Sequence, residues 1–268
     1  MTIFKALKRS AILAAACAAA FLASPRTAEA QSVDEIVKRG KVLVAIDVTN
    51  APFATVNSSM EPDGFEVQLA KRMAATMGVQ LEIVPVTTQN RIPFLITNKA
   101  DILLATLTIT PQRALQVMYT IPYGGVRFGV IAAKSKQIRS AADLKGMKVG
   151  VIRSGAADPM IVAVAPKETQ IVRLDDPSAV LQALVSGQVD AVAENWLYPA
   201  NIAKAQGAEN YEMKFELAES HFGMGVRKGS FDLLQWVNTF LYTERLSGKL
   251  GELHQAQIGV PLPNLSSF

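Results

Sequence analysis

Two kinds of hydrophobic spacing alternate along most of the chain. Short continuous apolar runs, such as Val42–Ile46, have the length of a strand that is buried on both faces. Between these runs apolar residues recur at helical spacing: from Phe65 to Met77 every fourth residue is apolar, and Gly78 can end that helix. Strands that alternate with helices predict parallel sheets covered by helices.

Capping and turn residues add the ends of further elements. Ser32 can cap a short helix, and Thr110 and Asp176, each followed by proline, can begin two later ones. The predicted strands cover 42–46, 81–86, 102–105, 128–132, 148–152, 170–173, 189–192 and 223–227. The predicted helices cover 33–39, 65–77, 90–97, 231–246 and 249–257, with others beginning near 110, 154–156, 177 and after 192.

A loose internal repeat suggests how these elements are grouped. Arg39–Val42 and Lys145–Val149 are similar basic, glycine-containing segments, and each precedes a buried strand, a helix and another strand. Two α/β lobes explain this repeat, and a ligand would then bind between them, outside the carboxyl ends of the strands. The alternative is one continuous doubly wound sheet.

The first thirty residues form a targeting pattern. Lys5, Lys8 and Arg9 precede the apolar stretch 11–23, and Ala28-Glu29-Ala30 supplies a small-residue end, which predicts a secretory signal peptide over residues 1–30. The apolar stretch is shorter than the ~20 residues that span a bilayer, so a retained anchor is the weaker interpretation. We therefore expect an exported, periplasmic protein.

Composition and charge narrow the class of protein. Half of the 268 residues are hydrophobic and 19% are charged, which excludes a disordered chain or a disulfide scaffold. The net charge of +4 includes +3 from residues 1–30, and the remaining 23 basic and 22 acidic side chains leave +1. So small an excess of positive charge does not create an electrostatic field that would attract nucleic acid. The one cysteine, Cys17, lies within the signal peptide, where Ala14-Ala15-Ala16 before it makes a poor lipoprotein cleavage site.

Most signatures of catalysis are absent from the sequence. The two histidines, His221 and His254, form no H-x-x-x-H pair, and the chain has no P-loop and no G-x-S-x-G. We therefore expect neither a metal nor a cofactor. Acid–base chemistry would depend on carboxylates, of which Glu194 is the one candidate because it follows the strand predicted at 189–192. A surface or capping glutamate is the plainer interpretation.

An anion site is predicted where a strand runs into a helix. Alternation places Thr106, Thr108 and Thr110 on one face of the extended segment, and the helix that follows begins with free N–H groups. Arg113 in its first turn adds a planar fork that matches a carboxylate. The alternative is a threonine-capped helix with an exposed arginine.

The segment Asp101–Arg113 resembles the T-x-T-P-x-R region of bacterial extracellular amino-acid-binding proteins, the receptors of ABC importers. Shorter segments that resemble the same family lie at 51–53, 64–70, 143–150, 184–192 and 223–228, in the order in which the family has them. The resemblance implies an α/β type II periplasmic-binding fold, in which each lobe is a mostly parallel sheet flanked by helices. Two crossing strands join the lobes, which close on the ligand. It maps lobe 1 to 31–124 with 221–268 and lobe 2 to 125–220.

The same resemblance assigns residues to the ligand. It places Arg113 on the α-carboxylate, beside Thr108 and the backbone around Thr106. Ser154, Gly155 and Ala156 fall where lobe 2 donates N–H groups from a helix start. The other positions it assigns to the site or the cleft are Asp47, Asn50, Thr88, Glu194 and Asn195.

Several of these positions depart from the family pattern. Asn50 and Thr88 stand where relatives often carry aromatic residues, and Ala156 stands where a hydroxyl is common. Asn195 stands where many relatives have an aspartate for the α-ammonium group, and a neutral amide is a weaker partner for that charge. The ammonium group must therefore use Glu194, Asp47 or carbonyl groups, unless the ligand lacks one.

A second cation lies at Arg91. The stretch Thr88–Pro93 is similar to the N-R-I-P stretch of glutamate/aspartate-binding members, and an arginine without an aromatic wall would suit a side-chain carboxylate. Alternatively, Arg91 pairs with Glu61 or Asp63. We expect a small acidic or polar L-amino acid as the ligand, with Arg113 and Arg91 as two anion clamps.

The expected function is capture and delivery without catalysis. A monomeric binding protein would hand its amino acid or carboxylate ligand to the membrane permease of an ABC importer. Two alternatives remain: a cyclohexadienyl-dehydratase-like lyase on the same scaffold, with Glu194 as its acid, and a receptor that feeds a sensor.

Overall fold

Capping residues set the ends of the first helix as the sequence predicts. In the computed structural model, which describes residues 32–206 and 210–265, the Ser32 side chain accepts a hydrogen bond from the Glu35 N–H. Gly40, at φ 73°, ends this helix in a left-handed turn. The signal peptide predicted for residues 1–30 and Cys17 lie outside the described residues.

The described elements follow in an order that largely matches the sequence pattern. The helices are α1 (Val33–Arg39), α2 (Phe65–Met77), α3 (Arg91–Ile96), α4 (Pro111–Ala114), α5 (Ala157–Val164), α6 (Pro177–Val185), α7 (Tyr198–Gln206), α8 (Phe231–Leu246) and α9 (Lys249–Ile258). The strands are β1 (Lys41–Ile46), β2 (Thr55–Val56), β3 (Pro62–Asp63), β4 (Gln80–Pro85), β5 (Ile102–Leu103), β6 (Val117–Ala133), β7 (Lys148–Ile152), β8 (Gln170–Leu174), β9 (Ala191–Asn195) and β10 (Tyr211–Arg227).

One sheet of eight strands organises these elements, in the order β4-β1-β5-β10-β6-β9-β7-β8. Strands β4, β1 and β5 are parallel at one end, and β9, β7 and β8 are parallel at the other. The antiparallel pair β6 and β10, each of 17 residues, connects the two groups. The mixed α/β fold with mostly parallel strands is thus confirmed. Gln31–Phe268 form one compact unit, so the lobe boundaries remain a prediction.

The long connecting strands extend well beyond the strands predicted at 128–132 and 223–227. Residues 211–220 alternate polar and apolar side chains and gain their order from pairing with β6 rather than from a continuous apolar run. The register of this pair shifts at several points, including both sides of Gly223. Such irregularities bend a strand locally.

Helix α2 shows how the hydrophobic stripe positions the core. Phe65, Leu69 and Met73 are fully buried, as their spacing predicts. Gly64, just before this helix, has φ 111°, and a Cβ there would lie 2.9 Å from the Phe53 carbonyl oxygen. The beginning of α2 therefore packs directly against the segment that follows β1. No helix among the described residues has the length and apolar character needed to cross a bilayer.

Candidate ligand-binding site

Two adjoining cavities lie where the parallel strands end. The Arg91 cavity, of about 50 Å³, is lined by nine of the predicted residues: Asn50, Thr88, Arg91, Thr106, Thr108, Gly155, Ala156, Glu194 and Asn195. The Arg113 cavity, of about 480 Å³, is lined by Thr108, Thr110, Gln112, Arg113, Ser154, Gly155, Ala156, Pro159 and Met160. The two cavities share Thr108, Gly155 and Ala156. The structure thus brings together residues that are far apart in the sequence.

Arg113 holds a positive charge at this site without a carboxylate partner. Its Nη1 donates to the Thr108 carbonyl oxygen at 3.1 Å and its Nη2 to the Ser154 carbonyl oxygen at 2.9 Å. Among the described side chains, no acidic group forms an ion pair with it. Burial lowers the pKa of Arg113, although it stays charged at neutral pH. Part of its donor fork thus remains available for an anion.

The helix that carries Arg113 is too short to have a substantial dipole. The Thr110 side chain accepts from the Arg113 N–H, and Pro111 begins the helix, as predicted. However, α4 has only four residues, so its dipole contributes little to anion binding. The guanidinium group is the main source of positive charge here.

Arg91 is buried, with 5% of its surface exposed, and lines the cavity named after it. Its Nη1 donates to the Ala105 carbonyl oxygen. The expected alternative of a pair with Glu61 or Asp63 is wrong, because Asp63 instead accepts from Gly64 and Gln68 and Glu61 is exposed. Burial lowers the pKa of Arg91 to about 10, nearby Arg113 adds to the shift, and Asp47 and Glu66 oppose it.

The expectation that Arg91 lacks an aromatic wall is also wrong. Phe53, Phe128 and Phe222 line the Arg91 cavity and are buried. They come from the segment after β1 and from the two connecting strands, so no local pattern in the sequence links them. The cavity therefore offers apolar surface for the methylene groups of a ligand beside its polar groups.

Glu194 and Asn195 form a buried polar pair at the end of β9. The Glu194 Oε2 atom accepts from the Asn195 backbone N–H at 2.9 Å and from its Nδ2 at 2.8 Å, while the Asn195 Oδ1 accepts from the Leu197 N–H. The other oxygen of Glu194, Oε1, has no hydrogen-bond partner in the described part of the chain. Burial raises the pKa of Glu194 to about 7, and the bonds from Asn195 oppose that shift.

Asp47, which the resemblance assigns to the site or the cleft, lies behind the cavities in contact with two threonines. It is buried but lines neither of the two cavities. Its Oδ1 accepts from the Thr49 N–H and hydroxyl, and its Oδ2 accepts from the Thr88 hydroxyl at 3.3 Å. Asp47 therefore orients Thr88 from behind, because both of its oxygens already have partners.

Two site residues adopt a backbone conformation that side chains disfavour. Thr106 has φ 43° and Ser154 has φ 61°, and residues held in this region carry roughly 1–3 kcal/mol of strain. The Ser154 conformation directs its carbonyl group to Arg113. The expected N–H donor at Gly155 is used internally, because that N–H donates to the Ile152 carbonyl oxygen at 2.9 Å.

Sequence reasoning missed two buried groups behind the cavity. Glu66 and Tyr123 are fully buried, and the Glu66 Oε1 accepts from the Thr106 N–H at 2.6 Å and from the Tyr123 hydroxyl. Burial raises the pKa of Glu66 to about 7, while the bonds from Tyr123 and Thr106 oppose the shift. An acidic residue among the apolar positions at the beginning of α2 was the available signal. Within the residues described, no cluster of histidine, cysteine or acidic side chains could hold a metal.

Comparisons with known proteins give matches over most of the chain. Residues 42–259 match the model of the family described as bacterial extracellular solute-binding proteins, family 3. A probable histidine-binding protein of Neisseria gonorrhoeae is 26% identical over 253 residues, which cover 92% of this chain and 94% of that protein.

Solved structures show the same fold. A solute receptor for L-cysteine of Neisseria gonorrhoeae has 28% identity and a TM-score of 0.79, covering 85% of this chain and 94% of its own. An ancestral amino acid-binding protein, a precursor of cyclohexadienyl dehydratase, has 30% identity and a TM-score of 0.77, covering 84% and 98%. The two-lobed periplasmic-binding fold is therefore the fold of this chain.

Proposed function

Because this chain belongs to family 3 of the bacterial extracellular solute-binding proteins, we propose that it captures a small polar or acidic L-amino acid in the periplasm. It would deliver that ligand to the membrane permease of an ABC importer. The relatives named for histidine and L-cysteine support an amino acid as the class of ligand. They leave open which amino acid this chain binds.

The observation that carries the proposal is a pair of unsatisfied charges in adjoining cavities. Arg113 has a positive charge without an ion-pair partner among the described residues, and Glu194 has one carboxylate oxygen without a hydrogen-bond donor. The zwitterionic part of an amino acid supplies a carboxylate for the first and an ammonium group for the second. Charge-assisted hydrogen bonds of this kind are about twice as strong as neutral ones.

The Arg91 cavity would take the side chain of the ligand. Its phenylalanine rings suit methylene groups, and Arg91, Asn50 and Thr88 suit a polar or anionic end. Asp47 and Glu66 offset part of the Arg91 charge, so a neutral amide and a carboxylate are both compatible with it. The proposed ligands therefore include glutamine and histidine as well as the dicarboxylic amino acids.

Closure of the cleft would trap the ligand. The side-chain hydrogen bonds across the cleft between the proposed lobes, 31–124 with 221–268 and 125–220, include the one from Arg113 to the Ser154 carbonyl oxygen. They also include those from the Gln89 Nε2 to the Asp175 carbonyl oxygen at 3.3 Å and to its Oδ1 at 3.1 Å. A ligand that contacts groups on both lobes binds the closed form more tightly than the open form. That difference in affinity shifts the population toward closure.

Isothermal titration calorimetry with glutamate, aspartate, glutamine and histidine tests this proposal. We expect saturable binding of at least one of them, and no binding of glutarate, which has both carboxylates of glutamate but no ammonium group. The absence of binding by every L-amino acid would contradict the proposed function. If glutamine or histidine binds but neither glutamate nor aspartate does, Arg91 is not a clamp for a second carboxylate.

The lyase alternative predicts chemistry that a binding protein lacks. Glu194 is a buried carboxyl in the cavity, as a general acid would be, yet the ligand-binding proposal uses the same group to meet an ammonium ion. We expect purified protein to leave prephenate and arogenate unchanged over hours, measured by the absorbance of the aromatic products. Turnover that is lost in Glu194→Gln would instead establish the enzyme.

A further inference from the structure

Glu66 joins three segments of the site without lining either cavity itself. Its backbone N–H donates to the Phe53 carbonyl oxygen at 2.8 Å, and its Oε1 accepts from the Thr106 N–H at 2.6 Å and from the Tyr123 hydroxyl. Phe53 and Thr106 line the Arg91 cavity, and Tyr123 lies on β6. The fully buried side chain of Glu66 thus connects the segment after β5 to a connecting strand, and its backbone N–H connects both to the segment after β1.

Thr106 needs such a connection because of its conformation. It is a β-branched residue at φ 43°, a region that glycine adopts readily and threonine does not. Its N–H points to Glu66, and its hydroxyl oxygen accepts from the Asn50 Nδ2 at 2.9 Å. The orientation of Asn50 in the cavity therefore depends on Thr106, and that of Thr106 depends on Glu66.

The second oxygen of Glu66 shows that this carboxylate is not optimised for stability. The Oε2 atom is buried and has no hydrogen-bond partner among the described residues. A buried polar atom without a partner destabilises the folded protein. The backbone of Glu66 is held in place as well, because its N–H donates to the Phe53 carbonyl oxygen and Gly64 packs the beginning of α2 directly against that group.

We propose that Glu66 is a positioning residue for ligand binding, which holds Thr106 in its left-handed conformation and thereby orients Thr106 and Asn50 toward the ligand. The inference rests on the proposed function, because ligand affinity is one of its readouts. Its mechanism is specific: Glu66 acts through the backbone of Thr106.

A double-mutant cycle tests this mechanism. Thr106→Gly removes the strain, since glycine adopts φ 43° freely. The amino acid of the calorimetry panel that binds the wild type most tightly is the probe. We expect Glu66→Gln to weaken its affinity about fivefold in the wild-type background, because a charge-assisted acceptor becomes neutral. In the Thr106→Gly background the same change should have an effect of less than about twofold.

Two further measurements separate positioning from loss of folding. Glu66→Gln should leave the melting temperature of the ligand-free protein unchanged or raise it, because a buried charge is removed. It should also speed hydrogen exchange at the Thr106 amide, a readout that needs no ligand. As a matched control, Glu244→Gln alters another buried glutamate, which pairs with Arg72 away from both cavities, and should leave affinity unchanged.

The outcomes distinguish this inference from the proposed function. If the wild type binds no amino acid, the proposed function fails, while exchange at the Thr106 amide still tests the positioning role. Equal losses of affinity in the wild-type and Thr106→Gly backgrounds would overturn the inference. So would an unchanged affinity in Glu66→Gln together with unchanged exchange at Thr106.

Discussion

Replacing Arg113 with alanine is expected to weaken binding of the ligand amino acid by about 100-fold or more, because two charge-assisted hydrogen bonds to its carboxylate are lost. The structure supports this size of effect, since Arg113 is partly buried and forms no ion pair with any described residue. Calorimetry with the tightest ligand of the panel measures the change. The melting temperature of the ligand-free protein should change little, because the Arg113 guanidinium group hydrogen-bonds to two carbonyl groups and has no ion-pair partner among the described residues.

A lysine at this position is the matched control. Arg113→Lys keeps the charge but loses the planar fork, so we expect an affinity between those of the wild type and the alanine variant. If Arg113→Ala instead unfolds the ligand-free protein and Arg113→Lys restores both folding and full affinity, the guanidinium group is structural. An alanine variant that binds like the wild type would remove Arg113 from the ligand site.

The affinity for the amino acid is expected to fall by about 50-fold between pH 7 and pH 5, with a slope that approaches tenfold per pH unit at the lower end of that range. Burial raises the pKa of the Glu194 carboxyl to about 7, so this group is half protonated at that pH in the ligand-free protein. An ammonium group binds the ionised form. Binding therefore releases a proton below pH 7, and the affinity levels off above it.

Glutamine is a suitable probe because its side chain does not titrate between pH 5 and pH 8. Calorimetry over this range should give the slope of affinity against pH. The Glu194→Gln variant should bind more weakly than the wild type at pH 8, and most of the dependence of its affinity on pH should be lost. Burial also raises the pKa of Glu66 to about 7. The Glu66→Gln variant isolates its share of the pH dependence. An affinity that increases on acidification, or an unchanged slope in Glu194→Gln, would contradict the role given to Glu194.

Local patterns in the sequence predicted those parts of the fold that depend on local physics. The buried stripe of α2 and the Ser32 and Gly40 caps follow from spacing and capping rules, and the structure contains them. The first half of β10 was missed, because its alternating side chains gain their order from a partner strand that is distant in the sequence. Strand pairing of this kind leaves little trace in either strand alone.

The candidate site likewise has residues that local patterns predict and others that come together only in the folded chain. Eleven of the twelve predicted residues line one of the two cavities, because they lie at or after the ends of strands that meet at one edge of the sheet. The exception, Asp47, also follows a strand end, but nearby hydroxyl groups satisfy its carboxylate. The phenylalanine wall could not be predicted, since Phe53, Phe128 and Phe222 meet only after the sheet has formed.

The irregular pairing of β10 beside Phe222 has a consequence for how the protein recognises ligands. The register shifts on both sides of Gly223, and Gly124 on the neighbouring strand has no side chain because a Cβ there would lie 2.3 Å from the Phe222 ring. If the proposed lobes rotate about the two connecting strands, flexure at this point would also tilt the Phe222 ring, which lines the proposed ligand cavity. Selectivity and hinge amplitude would then be inseparable traits of one structural element, and altering either would alter the other.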